Sequence, residues 1–189
     1  TRAGQGGITI AMNSQWVFCL PFYEELCGGI GGSGVNSFAM RLSPVCSGRE
    51  MIPDSVPHAL SLLYAALGEG AAGDLHIEGA EGEMQVAFTY AAVGGTCGAG
   101  VSLKTEKTQP RTFSFGFDSR MVNRCIDMDT YRIGLSFEGK TVMIPDPLEL
   151  SVRDFIAAIK EKRDPGIGEK HIITTSKLLK YIHDGCTIR

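Results

Sequence analysis

Met84-Gln-Val-Ala-Phe-Thr-Tyr90 places an apolar side chain at every second position, the period of a strand with one face against a core. The period recurs in Val101-Ser-Leu-Lys104, Thr112-Phe-Ser-Phe-Gly-Phe117 and Tyr131-Arg-Ile-Gly-Leu-Ser-Phe137. Phe137-Glu-Gly-Lys-Thr141 reads as a hairpin turn into a further strand, Thr141–Ile144. Strands this close in sequence leave no room for helical crossovers. They pair mainly antiparallel and offer one face for helices to cover.

On either side of this block the period becomes helical. Gly7–Trp16 reads as a largely buried strand, Phe18–Gly28 as a short helix with Pro21 in its first turn, and Val35–Leu42 as a second strand. Asp54–Leu67 is a helix with Ala59, Leu60, Leu63 and Leu67 as its core stripe, ended by Gly68. Beyond Pro145-Asp-Pro147, Ser151–Lys162 reads as an amphipathic helix. Ser151 caps it, Asp154 takes the capping-box position, and Val152, Phe155, Ile156 and Ile159 face inward. A turn at Asp164-Pro-Gly166 leads to a last helix around 171–184. The expectation is an α+β domain: an open, mostly antiparallel sheet with four helices on one face.

The 189 residues suffice for one domain with a substantial core. Glycine is frequent at 24 residues and clusters at 28–34, 94–100 and around 68–82, which reads as tight reversals between short strands. Net charge is −3 and no long Lys/Arg block occurs, so neither nucleic acid nor an anionic membrane surface is an expected partner. The six cysteines, at 19, 27, 46, 97, 125 and 186, contain no C-x-x-C and are read as reduced thiols. His76, His171 and His183 are scattered without metal-ligand spacing, so no metal is expected. No apolar run approaches a membrane span and no signal sequence is evident; the expected location is cytoplasmic.

The run richest in chemistry is Met51-Ile-Pro-Asp54-Ser-Val-Pro-His58-Ala-Leu-Ser-Leu-Leu-Tyr-Ala-Ala-Leu67-Gly68. On a helix, positions i and i+4 share a face, so Asp54 and His58 can address one small volume. A neutral imidazole near a carboxylate can accept the proton of a carbinol as it is oxidised. The plain alternative is that Asp54 or Ser55 caps the helix and His58 is a satisfied first-turn residue. Pro57 disfavours helical backbone at Val56, which leaves open whether Asp54 stands on the first turn or before it.

Gly29-Ile-Gly31-Gly-Ser-Gly34 satisfies the letter of G-x-G-x-x-G, but a helix precedes it and a strand follows. A dinucleotide fingerprint needs the reverse order, so these glycines read as a loop. The Arg120–Arg132 stretch, with three arginines beside Asp127 and Asp129, reads as a solvated strand face.

Together, three segments resemble the second domain of the Gfo/Idh/MocA oxidoreductases, the glucose–fructose oxidoreductase and inositol dehydrogenase relatives. The first is Ile8–Gly31, with Asn13-Ser-Gln-Trp16, Tyr23-Glu-Glu-Leu26 and Gly29-Ile-Gly31. The second, Pro53-Asp54-Ser-Val-Pro-His58, is similar to that family's D-x-x-x-H helix. The third is Val152-Arg-Asp-Phe-Ile-Ala-Ala-Ile159 and the helix after it. The resemblance implies His58 as the general base, Asp54 as its partner, and Asn13, Gln15 and Trp16 as substrate or nicotinamide contacts. It further implies a polyol, sugar or related hydroxy compound as substrate. NAD or NADP would be held mainly by an N-terminal Rossmann domain that, with the E-K-P lysine, these residues do not include. The whole chain is then one C-terminal-type domain, inactive alone. A different class of reading is a non-enzymatic dimerisation or ligand-binding module. Under both, a broad apolar sheet face is expected to be covered by a second copy of the chain. A hydrolase using Asp54 and His58 lacks any recognisable nucleophile motif.

Overall fold

The computed structural model describes residues 9–30 and 34–188. In chain order the helices are α1 (Leu20–Cys27), α2 (Met51–Leu67), α3 (Pro147–Glu161) and α4 (Glu169–Gly185). The strands are β1 (Ser37–Leu42), β2 (Gly70–Ala80), β3 (Glu83–Ala92), β4 (Gly95–Lys104), β5 (Phe113–Phe117), β6 (Arg120–Ile126), β7 (Ile133–Phe137) and β8 (Lys140–Met143). They form one sheet in the order β2-β3-β4-β1-β5-β6-β7-β8. All pairings are antiparallel except β1 with β4, which run parallel with Met40 opposite Val101. Two antiparallel sets therefore meet at β1. The fold is α+β, as the strand period requires.

Alternation sorts the two faces. Phe38, Met40, Leu42, Val86, Phe88, Val101, Leu103 and Leu135 are buried on the covered face, together with Phe113, Phe115 and Phe117 of β5. Against them α2 packs Met51, Ile52, Val56, Ala59, Leu60 and Leu63, all inaccessible to solvent. Trp16 stacks on Phe113 with centroids 3.7 Å apart, and Tyr23 stacks on Phe115 at 5.3 Å. The buried Tyr23 hydroxyl accepts from Phe117 N (3.0 Å) and donates to Arg120 O (3.0 Å), tying α1 to the β5–β6 turn.

Several sequence expectations need correction. Residues 7 and 8 of the predicted first strand lie outside the described residues, while 9–14 form no strand and Gln15–Cys19 is a 3₁₀ turn. Its three-residue period sends both Trp16 and Cys19 inward, and Met12 N bonds Ile167 O (3.1 Å) rather than a sheet neighbour. Helix α2 starts at Met51, so Asp54 stands on it; Pro57 lies inside, and the Pro53 residue whose carbonyl its missing N–H would meet is exposed. Helix α3 starts at Pro147, capped by Asp146, whose Oδ1 accepts from Leu148 N (2.9 Å). Ser151 is interior to it. Val152, Ile156 and Ile159 are 50, 46 and 51% exposed, because α3 rests on the 3₁₀ turn through its Ala158 side.

The uncovered sheet face also differs from expectation. Ala87, Gly100, Ala39 and Gly116 lie side by side across β3, β4, β1 and β5, with Ser37, Arg41 and Ser102 beside them. It is a small and polar surface rather than a broad apolar one.

Candidate functional site

Helix α2 carries Asp54, Ser55 and His58 to a cavity of about 370 Å³ beneath the β1 and β5 ends. Its lining also includes Gln15 and Trp16 from the 3₁₀ turn, Val45, Gln109, Arg111 and Thr112 from loops, and Phe113 and Arg124 from the sheet. Four of the five residues expected at a site, Asp54, His58, Gln15 and Trp16, thus border one volume. Asn13 is exposed and is not among the lining residues.

Asp54 does not hydrogen-bond His58. Its Oδ2 accepts from the Ser55 hydroxyl (2.8 Å) and from Val45 N (3.4 Å), which fixes the carboxylate at the cavity wall. The His58 Nδ1 is cut off from solvent and has no partner among the described residues. Nε2 is therefore the nitrogen left to meet a ligand. Burial lowers the affinity of the His58 ring for a proton below that of an ordinary histidine, and the charge of Asp54 opposes this in part. A neutral ring at pH 7, near a fixed negative charge, can accept a proton and have the resulting cation stabilised.

The two arginines went unrecognised as site residues. Residues 120, 122 and 124 share one face of β6, and Val122 is fully buried, so Arg124 points under the helices. Its guanidinium lies 5.8 Å from the Trp16 ring and 5.9 Å from that of Phe113, and it donates to Arg111 O. Arg120 donates to Cys27 O (3.0 Å) and Gly29 O (2.8 Å) behind α1. The reading of this stretch as a solvated strand face fails for both. The parity of β6 with Val122 was the available signal; Arg111, in a loop, offered none.

Neither the glycine run nor the cavity fits a dinucleotide. Residues 31–33 of the run lie outside the described residues, and α1 before it with β1 after it reverses the order a pyrophosphate needs. About 370 Å³ suits a molecule the size of a sugar. Among the described residues no group of three His, Cys, Asp or Glu could hold a metal, and no helix is long and apolar enough to cross a membrane.

No protein-family model matches the sequence, and a search of curated proteins finds no match. Solved structures do match. UDP-N-acetylglucosamine 3-dehydrogenase GnnA from Acidithiobacillus ferrooxidans aligns with TM-score 0.66 at 13% identity, over 96% of this chain and 63% of its own. A dehydrogenase (MviM) from Clostridium difficile gives 0.61 at 12%, over 97% and 64%. An oxidoreductase from Agrobacterium radiobacter, solved with NAD+, L-tartaric acid and magnesium, gives 0.60 at 9%, over 98% and 66%. At such identities the likeness establishes the fold. That fold is the second domain of the Gfo/Idh/MocA type, and this chain spans less than two thirds of each of those proteins.

Proposed function

We propose that this chain is the substrate-binding and catalytic half of an NAD(P)-dependent oxidoreductase acting on a polyol, sugar or related hydroxy compound. The observation that carries the reading is the placement of His58 and Asp54 on one cavity wall, in a fold shared with dehydrogenases. The substrate hydroxyl meets His58 Nε2, which takes its proton as the carbinol is oxidised. Burial keeps the ring neutral beforehand, and Asp54 stabilises the imidazolium afterwards. Trp16 supplies an apolar wall and Gln15 a polar contact; Asn13, exposed outside the cavity lining, is the proposed contact toward the nicotinamide. NAD or NADP belongs to a dinucleotide-binding domain beyond these 189 residues. The sheet face of small residues is the proposed contact with a second copy of the chain.

The test joins the chain to a dinucleotide-binding domain and follows NAD(P)H formation with polyols and sugars. His58→Ala is expected to lower kcat by about 100-fold or more while substrate still binds. Turnover by the 189 residues alone, or full activity of His58→Ala, rejects the assignment. Binding without any turnover by the joined protein favours a ligand-binding module instead.

A further inference from the structure

Resting on that reading of the site, we propose that Arg111 and Arg124 make the cavity selective for a hydroxy compound bearing an anionic group, a carboxylate or a phosphate. Apart from His58, the charged side chains in the lining are Asp54, Arg111 and Arg124, so cationic groups outnumber the carboxylate. Asp54 is already engaged by Ser55 and Val45. Neither arginine has a carboxylate within 4.0 Å among the described residues.

The donors are also unspent. A guanidinium carries five N–H bonds. Arg124 commits one nitrogen to Arg111 O, while its guanidinium lies over the Trp16 and Phe113 rings. The Arg111 side chain makes no hydrogen bond among the described residues, and its Nε is buried without a partner. A buried, unpaired donor on a cation is costly, and an oxyanion entering the cavity would relieve it with charge-assisted hydrogen bonds. Burial without a counter-charge also depresses the Arg124 pKa, in keeping with a guanidinium awaiting an anion. A neutral polyol gives these two groups much less to hold. The recognition element shares the cavity with His58, where it can orient a substrate by its charged end.

Calorimetric titration of the 189-residue chain with gluconate, glucose 6-phosphate and sorbitol reads this preference without any hydride transfer. At least one of the two anions is expected to bind about tenfold or more tightly than sorbitol, about 1.4 kcal/mol. Arg111→Gln should remove most of that advantage, lowering anion affinity far more than sorbitol affinity. Arg124→Gln should do the same; where it fails to fold for loss of packing on Trp16, Arg124→Lys, which keeps the charge but not the planar fork, should lower anion affinity in part. Gluconate alone binding tightly assigns a carboxylate, and glucose 6-phosphate alone a phosphate. Equal affinity for all three probes, no binding by either anion, or an anion preference untouched in Arg111→Gln overturns the proposal. Failure of the His58 experiment leaves this binding preference intact, so the two readings fail separately.

Discussion

His171 is a buried side chain whose protonation in acid works against the fold. It is 4% exposed and lies against Tyr64, ring centroids 4.2 Å apart, with Nε2 unpartnered among the described residues. Burial pushes its pKa down to about 4, against an unfolded value near 6.5. Between those values the unfolded chain binds the extra proton. Stability is full above pH 6.5 and falls as the pH drops toward 4, by about 3 kcal/mol in all. Unfolding free energies from urea titrations at pH 7 and pH 5 should therefore differ by about 2 kcal/mol. His171→Phe, which keeps a ring against Tyr64, should remove most of that difference; an unchanged slope would assign it to other groups, His58 first. Nothing around position 171 in the sequence signals this, because its burial is created by residue 64 on another helix. Asp54 and His58 were legible because a single helix sets their spacing. Arg124 and Arg111 were not, because their meeting depends on how β6 and a loop fold over Trp16.

At the scale of elements, the β5–β6 hairpin shows what close strand approach demands. Asp118 and Ser119 turn with φ of 48° and 69°, and the Asp118 carboxylate accepts from the N–H groups of Asn36 (2.9 Å) and Ser37 (3.0 Å). A Cβ at Gly116 would lie 2.2 Å from Arg120 O and 2.8 Å from Met121 Cα, both backbone atoms. Gly116→Ala is expected to cost about 1–3 kcal/mol or more, read as a lowered urea midpoint. A neutral result would mean that the hairpin relaxes freely. Strands with large alternating side chains were legible from residues 84 to 137, but β2 was missed. Gly70-Ala-Ala-Gly73 carries little strand propensity and is held by the Tyr90 ring, 2.6 Å from where a Cβ on Gly70 would stand. The glycines from 95 to 100 belong to β4 rather than to a joint, since the uncovered face admits small residues. The start of α3 was misplaced because Ser151 and Asp154 imitate a cap that Asp146 and Pro147 already provide.

For the whole molecule, the α+β class follows from the strand period, whereas the sheet order does not. Local alternation says which face a strand buries but not that β4 will lie parallel to a strand lying before α2. Two surfaces are candidates for the proposed contact with a second copy: the small-residue sheet face, and the exposed Val152, Ile156 and Ile159 of α3. Sedimentation should show a dimer that Gly100→Arg converts to monomer without unfolding, since nothing lies within 4 Å of a Cβ there. Ile156→Asp should leave the dimer intact; the opposite pattern moves the contact to α3. Strand β1 has a further consequence for biosynthesis. It is the spine on which both halves of the sheet close, and it leaves the ribosome ahead of every partner it will have. Until Gly95–Lys104 and Phe113–Phe117 are translated, Phe38, Met40 and Leu42 lack the strands that flank both edges of β1. This strand is made before both of its neighbours, so nascent-chain shielding matters most between the synthesis of Leu42 and that of Phe117.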